Sequence, residues 1–203
     1  MESKTNHQKL LDEQLHTVSL FSQKPTLLLH ACCAPCSSYV LEYLSNHFNI
    51  TLYFYNPNIA PFEEYQFRAN ELIRLVSEMN LSDQVKIIIP EYTPDEFTKI
   101  AVGKEEQPER GLRCTDCYFL RLQKSFEYAE TNHFDFFSTT LSISPHKDAV
   151  RLNNIGLKLS ENSSVRWLYS DFKKKNGYKR SIELSEKYNL YRQNYCGCIY
   201  SKK

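Results

Sequence analysis

The sequence predicts an α/β protein: a Rossmann-like parallel sheet with helices on both faces and a mainly helical C-terminal appendage. Strand-length apolar runs alternate with stretches carrying apolar residues at helical spacing, the pattern of parallel strands joined by helices. The first run, Leu27-Leu28-Leu29-His30-Ala31, delivers Cys32, Cys33 and Cys36 to a strand-to-helix turn. Such turns are where open α/β sheets carry their chemistry.

In chain order, residues 7–22 carry Leu10, Leu11, Leu15 and Val18, a weakly amphipathic helix. The first strand is read over 26–31 and its helix over 37–47, with Val40, Leu41 and Leu44 inward. A second strand over 50–55 stops at Asn56-Pro57-Asn58-Ile59-Ala60-Pro61, a loop fixed by two prolines. Leu72, Ile73, Val76 and Met79 set a helix over 62–80. A third strand over 85–89 ends at Pro90, and Pro94 starts a short helix. The charged stretch from Gly103 to Gly111 contains Pro108 and reads as a loop; a long helix then runs from near Cys114 to Thr131. Phe134 to Thr139, aromatic and β-branched, is the fourth strand. Ser144 is placed as the cap and Pro145 as the first residue of a helix over 146–157. The C-terminal third shows no clear strand, only a helix over 181–188, and reads as an appendage over the sheet's edge. Residues 1–25 are assigned to an N-terminal helical extension and 26–203 to a single α/β domain.

The chain has 203 residues with a net charge of +1, so bulk charge neither favours nor excludes a nucleic-acid partner. Fourteen tyrosines and twelve phenylalanines against five glycines argue against a disordered chain. No apolar run approaches the ~18–20 residues of a membrane helix, and the polar N-terminus is not a secretory signal. The expected location is cytoplasmic, with no membrane partner. Thiols stay reduced there, so seven cysteines point to metal or redox chemistry, and the odd count leaves any disulfide framework one partner short.

Cys32 and Cys33 end the first strand, and Cys114-x-x-Cys117 opens the long helix leading to the fourth. Convergence of the two pairs suits either zinc or an iron–sulfur cluster, though adjacent cysteines fit a structural zinc site poorly. A helix N-terminus beneath Cys114 favours thiolate. A lone Cys36 on a helix face reads more often as a small buried hydrophobe than as a ligand. Cys196-Gly197-Cys198 closes only a very small ring when oxidised, which suits redox cycling rather than stapling. His30 reads as a core histidine, and Tyr65 with Arg68 as neighbours on one helix face. The first strand's turn lacks the glycines of a phosphate-binding loop, which speaks against ATP there.

Together the motifs His30-Ala31-Cys32-Cys33-Ala34-Pro35-Cys36-Ser37, Phe54-Tyr55-Asn56-Pro57-Asn58-Ile59, Glu64-Tyr65 with Arg68, and Arg113-Cys114 with Cys117-Tyr118 resemble the cobalamin-independent epoxyqueuosine reductases. So do Thr139-Thr140-Leu141 with Ser144-Pro145, Asp171-Phe172-Lys173, Arg180-Ser181, and the run from Leu190 to Cys198. The resemblance spans residues 26–201. It implies an enzyme, an oxidoreductase that reduces epoxyqueuosine to queuosine at the wobble position of tRNA. It further implies a four-iron four-sulfur (4Fe-4S) cluster on Cys32, Cys33, Cys114 and Cys117, a redox-active pair in Cys196 and Cys198, and a second, mononuclear iron. Cys36 and Asp116 are the candidate ligands of that iron by their nearness in sequence. Substrate contacts are expected from Asn56, Asn58, Tyr65 and Arg68, and phosphate contacts from Lys173, Lys174, Lys175, Lys179, Arg180 and Arg192. The implied partners are tRNA carrying epoxyqueuosine and an electron donor of ferredoxin or flavodoxin type. Ala60 departs from the pattern, standing where many relatives carry histidine. Two other classes fit parts of the sequence: an ATP-dependent tRNA sulfur transferase, and a structural zinc protein that binds RNA.

Overall fold

The computed structural model describes residues 5–202; residues 1–4 of the expected N-terminal extension, and Lys203, lie outside the described residues. Five parallel strands, β1 (Thr26–His30), β2 (Asn49–Tyr53), β3 (Val85–Ile88), β4 (Phe136–Thr139) and β5 (Arg166–Trp167), form one sheet in the order β3-β2-β1-β4-β5. The central strand β1 is apolar along Leu27-Leu28-Leu29 because both of its faces are covered. Leu27 and Leu29 pack with α1 (His7–Ser19), α2 (Ala34–Leu44) and α3 (Phe62–Glu78), through Leu11, Leu41 and Leu72 among others. Leu28 faces α5 (Leu112–Thr131) and α6 (Ala149–Ser160), in a cluster with their Leu122 and Leu152 and with Phe137 and Trp167 of the neighbouring strands. The short α4 (Pro94–Ala101) packs on α5, and α7 (Gly177–Lys187) on α2.

Three expectations are corrected. The helix after β1 starts at Ala34 rather than Ser37, because Pro35 fits a first helical turn, where its missing N–H has no partner to lose. Cys36 therefore sits within that turn. The helix expected from residue 146 begins at Ala149: the Asp148 carboxylate accepts from Arg151 N at 3.1 Å, while Ser144 and Pro145 belong to a preceding turn closed by Lys147 N to Ser144 O at 3.1 Å. The C-terminal third supplies a strand after all. β5 is two residues long, too short to show any periodicity, and lies parallel to β4 through Phe136–Arg166 and Phe137–Trp167.

The N-terminal helix belongs to the same core. Leu11 and Val18 are buried, and Gln14 clamps β5 by donating to Trp167 O and accepting from Tyr169 N, both at 2.9 Å. On the other face Trp167 Nε1 donates to Asn153 Oδ1 at 2.9 Å, and its ring lies against Gly156. A Cβ at Gly156 would stand 2.2 Å from Trp167 Cδ2. Gly156→Ala is therefore expected to lower stability by about 1–3 kcal/mol, as a reduced midpoint in urea unfolding, despite alanine's better helix propensity.

Candidate active site

The strand order reverses between β1 and β4, so a crevice opens beyond their C-terminal ends. Cys32 and Cys33 leave β1 there, and Thr140 leaves β4; Cys32 N donates to Thr140 Oγ1 at 3.4 Å. The Sγ atoms of Cys32, Cys33 and Cys36 lie within 4.8 Å of one another. Cys33 occupies the cap position of α2, whose unpaired N–H groups favour an anion. Hydrogen bonds from Cys32 and Cys36 hold the Cys33 thiol well below its ordinary pKa, while the same contacts push Cys32 and Cys36 up. Their closeness thus opposes ionising more than one of the three thiols. A metal cation removes that restriction, because coordinated thiolates need not compete for protons.

The other four thiols line a second space, which Arg121 also borders. Cys114, Cys117, Cys196 and Cys198 line a small chamber of about 20 Å³. Burial pushes Cys117 up to about 12 and also raises Cys198. Next to it opens a cavity of about 470 Å³, lined by Cys32, Cys36 and Cys196 together with Arg68, Arg121, Lys147, Arg192 and Gln193. Cys196 borders both spaces; Cys198 borders only the chamber. All seven cysteines are free thiols.

The Cys196–Cys198 segment is held by its backbone. Gly197 adopts φ +100°, and a Cβ there would stand 2.8 Å from Ile59 Cγ1. Gly197 O accepts from Ala60 N at 3.0 Å, and Tyr195 OH donates to Ala60 O at 3.1 Å. Arg68, anchored by Glu64 at 2.7 Å, donates to Cys196 O at 3.2 Å and lies over the Tyr195 ring. The position where relatives were expected to carry histidine thus contributes its main chain to docking the thiol segment.

Behind the thiols, Arg121 is 2 % exposed, and Cys117, Cys32 and Cys196 are the thiols that face it. Burial opposes its charge, yet those thiols hold its pKa above the ordinary value. Nη2 donates to Asn56 Oδ1 at 2.5 Å, and Asn56 Nδ2 donates to Ala31 O at 2.9 Å. Nε lies 3.3 Å from His30 Nε2, which accepts when the ring carries its hydrogen on Nδ1 and donates it to Thr139 Oγ1 at 2.8 Å. Burial, then Arg121, depresses His30 to about 3, so it is a neutral core histidine that orients the guanidinium.

The remaining expected residues divide. Arg68 and Arg192 line the large cavity, and Arg192 donates to Ser185 Oγ at 3.0 Å. Asn56 braces Arg121 instead of lining it. Tyr65 belongs to an aromatic cluster with Phe54 and Tyr92, its hydroxyl donating to Pro90 O at 3.3 Å. Asn58 is buried, and its side-chain atoms find no partner among the described residues. Asp116 pairs with Lys104 and borders neither space. Lys173 pairs with Asp171 at 2.6 Å, Lys175 with Asp12 at 2.7 Å, and Arg180 with Glu42 at 2.8 Å. Arg121, Lys147 and Glu109 were not singled out from sequence. Arg121 left one trace there, a charge in the Cys117-Arg121-Ser125 stripe of a helix's buried face. Nothing local marks Lys147 or Glu109.

The model of the epoxyqueuosine reductase QueH family matches residues 27–203. The chain belongs to the QueH family. Similar curated proteins carry the name epoxyqueuosine reductase QueH. One, from Streptococcus pyogenes serotype M1, is 42% identical over 98% of this chain and 79% of its own length. Another, from Staphylococcus epidermidis, is 41% identical over 98% of this chain and 85% of its own length. A QueH of Thermotoga maritima is 31% identical over 87% of this chain and 90% of its own length. Among solved structures, an NMN synthetase from Francisella tularensis aligns with a TM-score of 0.50 at 10% identity, covering 94% of this chain and 74% of that one. That likeness concerns the α/β fold alone. QueH is an oxidoreductase family, and no helix among the described residues is long and apolar enough to cross a membrane.

Proposed function

We propose that this chain reduces epoxyqueuosine to queuosine at the wobble position of tRNA, the last step of queuosine biosynthesis. Family membership supports the reading, and one structural observation carries it: seven thiols converge on the sheet's switch-point edge beside a cavity of about 470 Å³. Cavities of this size take a small molecule or a single splayed-out base.

Three Sγ atoms within 4.8 Å of one another, and a buried guanidinium facing Cys117, Cys32 and Cys196, suit an iron–sulfur cluster on thiolates. The residues that would hold a 4Fe-4S cluster are Cys32, Cys33, Cys114 and Cys117, with Cys36 left as a thiolate for a second, mononuclear iron. Asp116 is the weaker candidate for that iron, since its carboxylate is committed to Lys104. When bound, such a group supplies single electrons from a donor of ferredoxin or flavodoxin type. The chain's own part is geometric and protonic. Arg68 and the Ala60 main chain hold Cys196 at the cavity wall, and the buried Arg121 offsets negative charge on the thiols. Arg192, which lines the cavity with Tyr178 and Asn194, would meet a phosphate of the substrate there. Of the basic residues offered for tRNA, Arg180, Lys173 and Lys175 are neutralised by carboxylates, so phosphate binding falls chiefly to Arg192, Lys174 and Lys179.

Anaerobic purification with iron and sulfide analysis tests the reading. The expected protein is brown, binds iron and inorganic sulfide, and converts epoxyqueuosine-containing tRNA when reduced with dithionite. Serine at Cys32 or Cys33 is expected to remove both colour and turnover. A colourless protein holding only zinc, with no conversion, contradicts the reading.

A further inference from the structure

Among the described residues, Lys147 is the one lysine whose ammonium is buried against a thiol. Its side chain is 8 % exposed, and Nζ donates to Cys196 Sγ at 3.2 Å and to Glu109 Oε1 at 3.0 Å. The Glu109 side chain is 44 % exposed, so the three groups form a line from solvent to the thiol. Lys147 and Cys196 both border the large cavity and the inner chamber. Cys198, the other half of the pair, borders only the chamber. An ammonium so placed, paired with the half-exposed Glu109 on one side and the Cys196 sulfur on the other, keeps its proton and polarises the anion that meets it.

We propose that Lys147 is a catalytic residue that makes Cys196 the substrate-facing thiol and passes protons between it and the epoxide oxygen. This rests on the reading of Cys196 and Cys198 as the redox pair of an epoxide reductase. Reduction of an epoxide by a dithiol balances without further reactants. Two C–O bonds break; one C=C π bond and one S–S bond form; the two thiol hydrogens leave with the oxygen as water. The Lys147 ammonium gives its proton to the oxygen and takes the Cys196 hydrogen in its place, so it ends the step as it began. Returning the disulfide to the dithiol consumes two electrons from a low-potential electron carrier, or from dithionite in an assay. Its two protons enter from solvent by way of Glu109 and Lys147. Cys198 acts as the resolving thiol: it meets Cys196, not the substrate.

The test is peptide-resolved alkylation of the anaerobically purified, iron-loaded, full-length protein with iodoacetamide at neutral pH. In the wild type, Cys196 is expected to be modified ahead of Cys198. Lys147→Met and Lys147→Gln are expected to slow Cys196 modification by at least about tenfold, with Lys147→Arg staying near the wild-type rate and iron content unchanged throughout. Turnover on epoxyqueuosine-containing tRNA is expected to fall about 10²-fold or more in the Met and Gln variants and to be largely restored by arginine. Equal Cys196 rates in wild type and Lys147→Met, or in Lys147→Gln if the Met variant does not fold, overturn the proposal, as does full turnover in either. Reversed order of Cys196 and Cys198 in the wild type overturns it without any variant. Failure of the wild type to convert the tRNA counts against the functional reading, while the alkylation result still judges Lys147.

Discussion

Serine in place of Cys198 is expected to cut reduction of epoxyqueuosine-containing tRNA by at least about 10³-fold while the protein keeps its iron. The substitution replaces sulfur by oxygen in a side chain packed with Phe97 and Cys117 and leaves every main-chain contact of the segment intact. Those contacts, Ala60 N to Gly197 O and Arg68 to Cys196 O, involve no thiol, so the C-x-C segment stays docked. What is lost is the second sulfur of the dithiol, and with it any S–S bond that Cys196 can form. Cys196→Ser is expected to match it in turnover and also to remove the group that faces Lys147. Iron analysis beside a single-turnover assay decides the matter. A Cys198→Ser protein that turns over like the wild type removes the redox role, and one that loses its iron makes Cys198 a ligand instead.

How far the fold was legible depended on element length. The strands β1 to β4 and their helices stood out because runs such as Leu27-Leu28-Leu29 must be covered on both faces and therefore stay apolar throughout. β5 escaped because two residues carry no period; Trp167 takes its place through Phe137, Asn153 and Gly156, contacts set by the fold and not by neighbours in sequence. The displaced helix starts share a cause. Both Pro35 and Pro145 suit a first turn, but only at Pro35 does no better cap follow, whereas Asp148 outcompetes Ser144. At the site, the cysteines were legible as motifs, but their grouping was not. Cys36 joins Cys32 and Cys33 because α2 starts early enough to turn it back toward them. The cations that face the thiols, Arg121 and Lys147, come from distant segments whose approach only the sheet topology dictates.

Arg121→Met offers the sharpest separation between a structural arginine and one that serves a metal centre. In the iron-free protein its removal strands no charge, because thiols near the site can take up protons. The cost there is the orphaned Asn56 Oδ1 and His30 acceptor, about 1–3 kcal/mol in urea unfolding. In the iron-loaded protein the ligand thiolates cannot protonate, so the negative charge they carry loses its buried counterion. Removing one member of a buried charge pair costs about 3–5 kcal/mol. The difference should fall on the metal. Arg121→Met is expected to lose iron to a chelator at least about tenfold faster than wild type, since 1.4 kcal/mol already corresponds to about tenfold. Arg121→Lys keeps the charge but not the two-pronged contact with Asn56 and His30, and is expected to lie between the two. If iron-free stability falls while iron loss to chelator matches the wild type, the guanidinium serves packing alone, and the thiols owe their charge balance to some other cation, of which Lys147 is the nearest to Cys196.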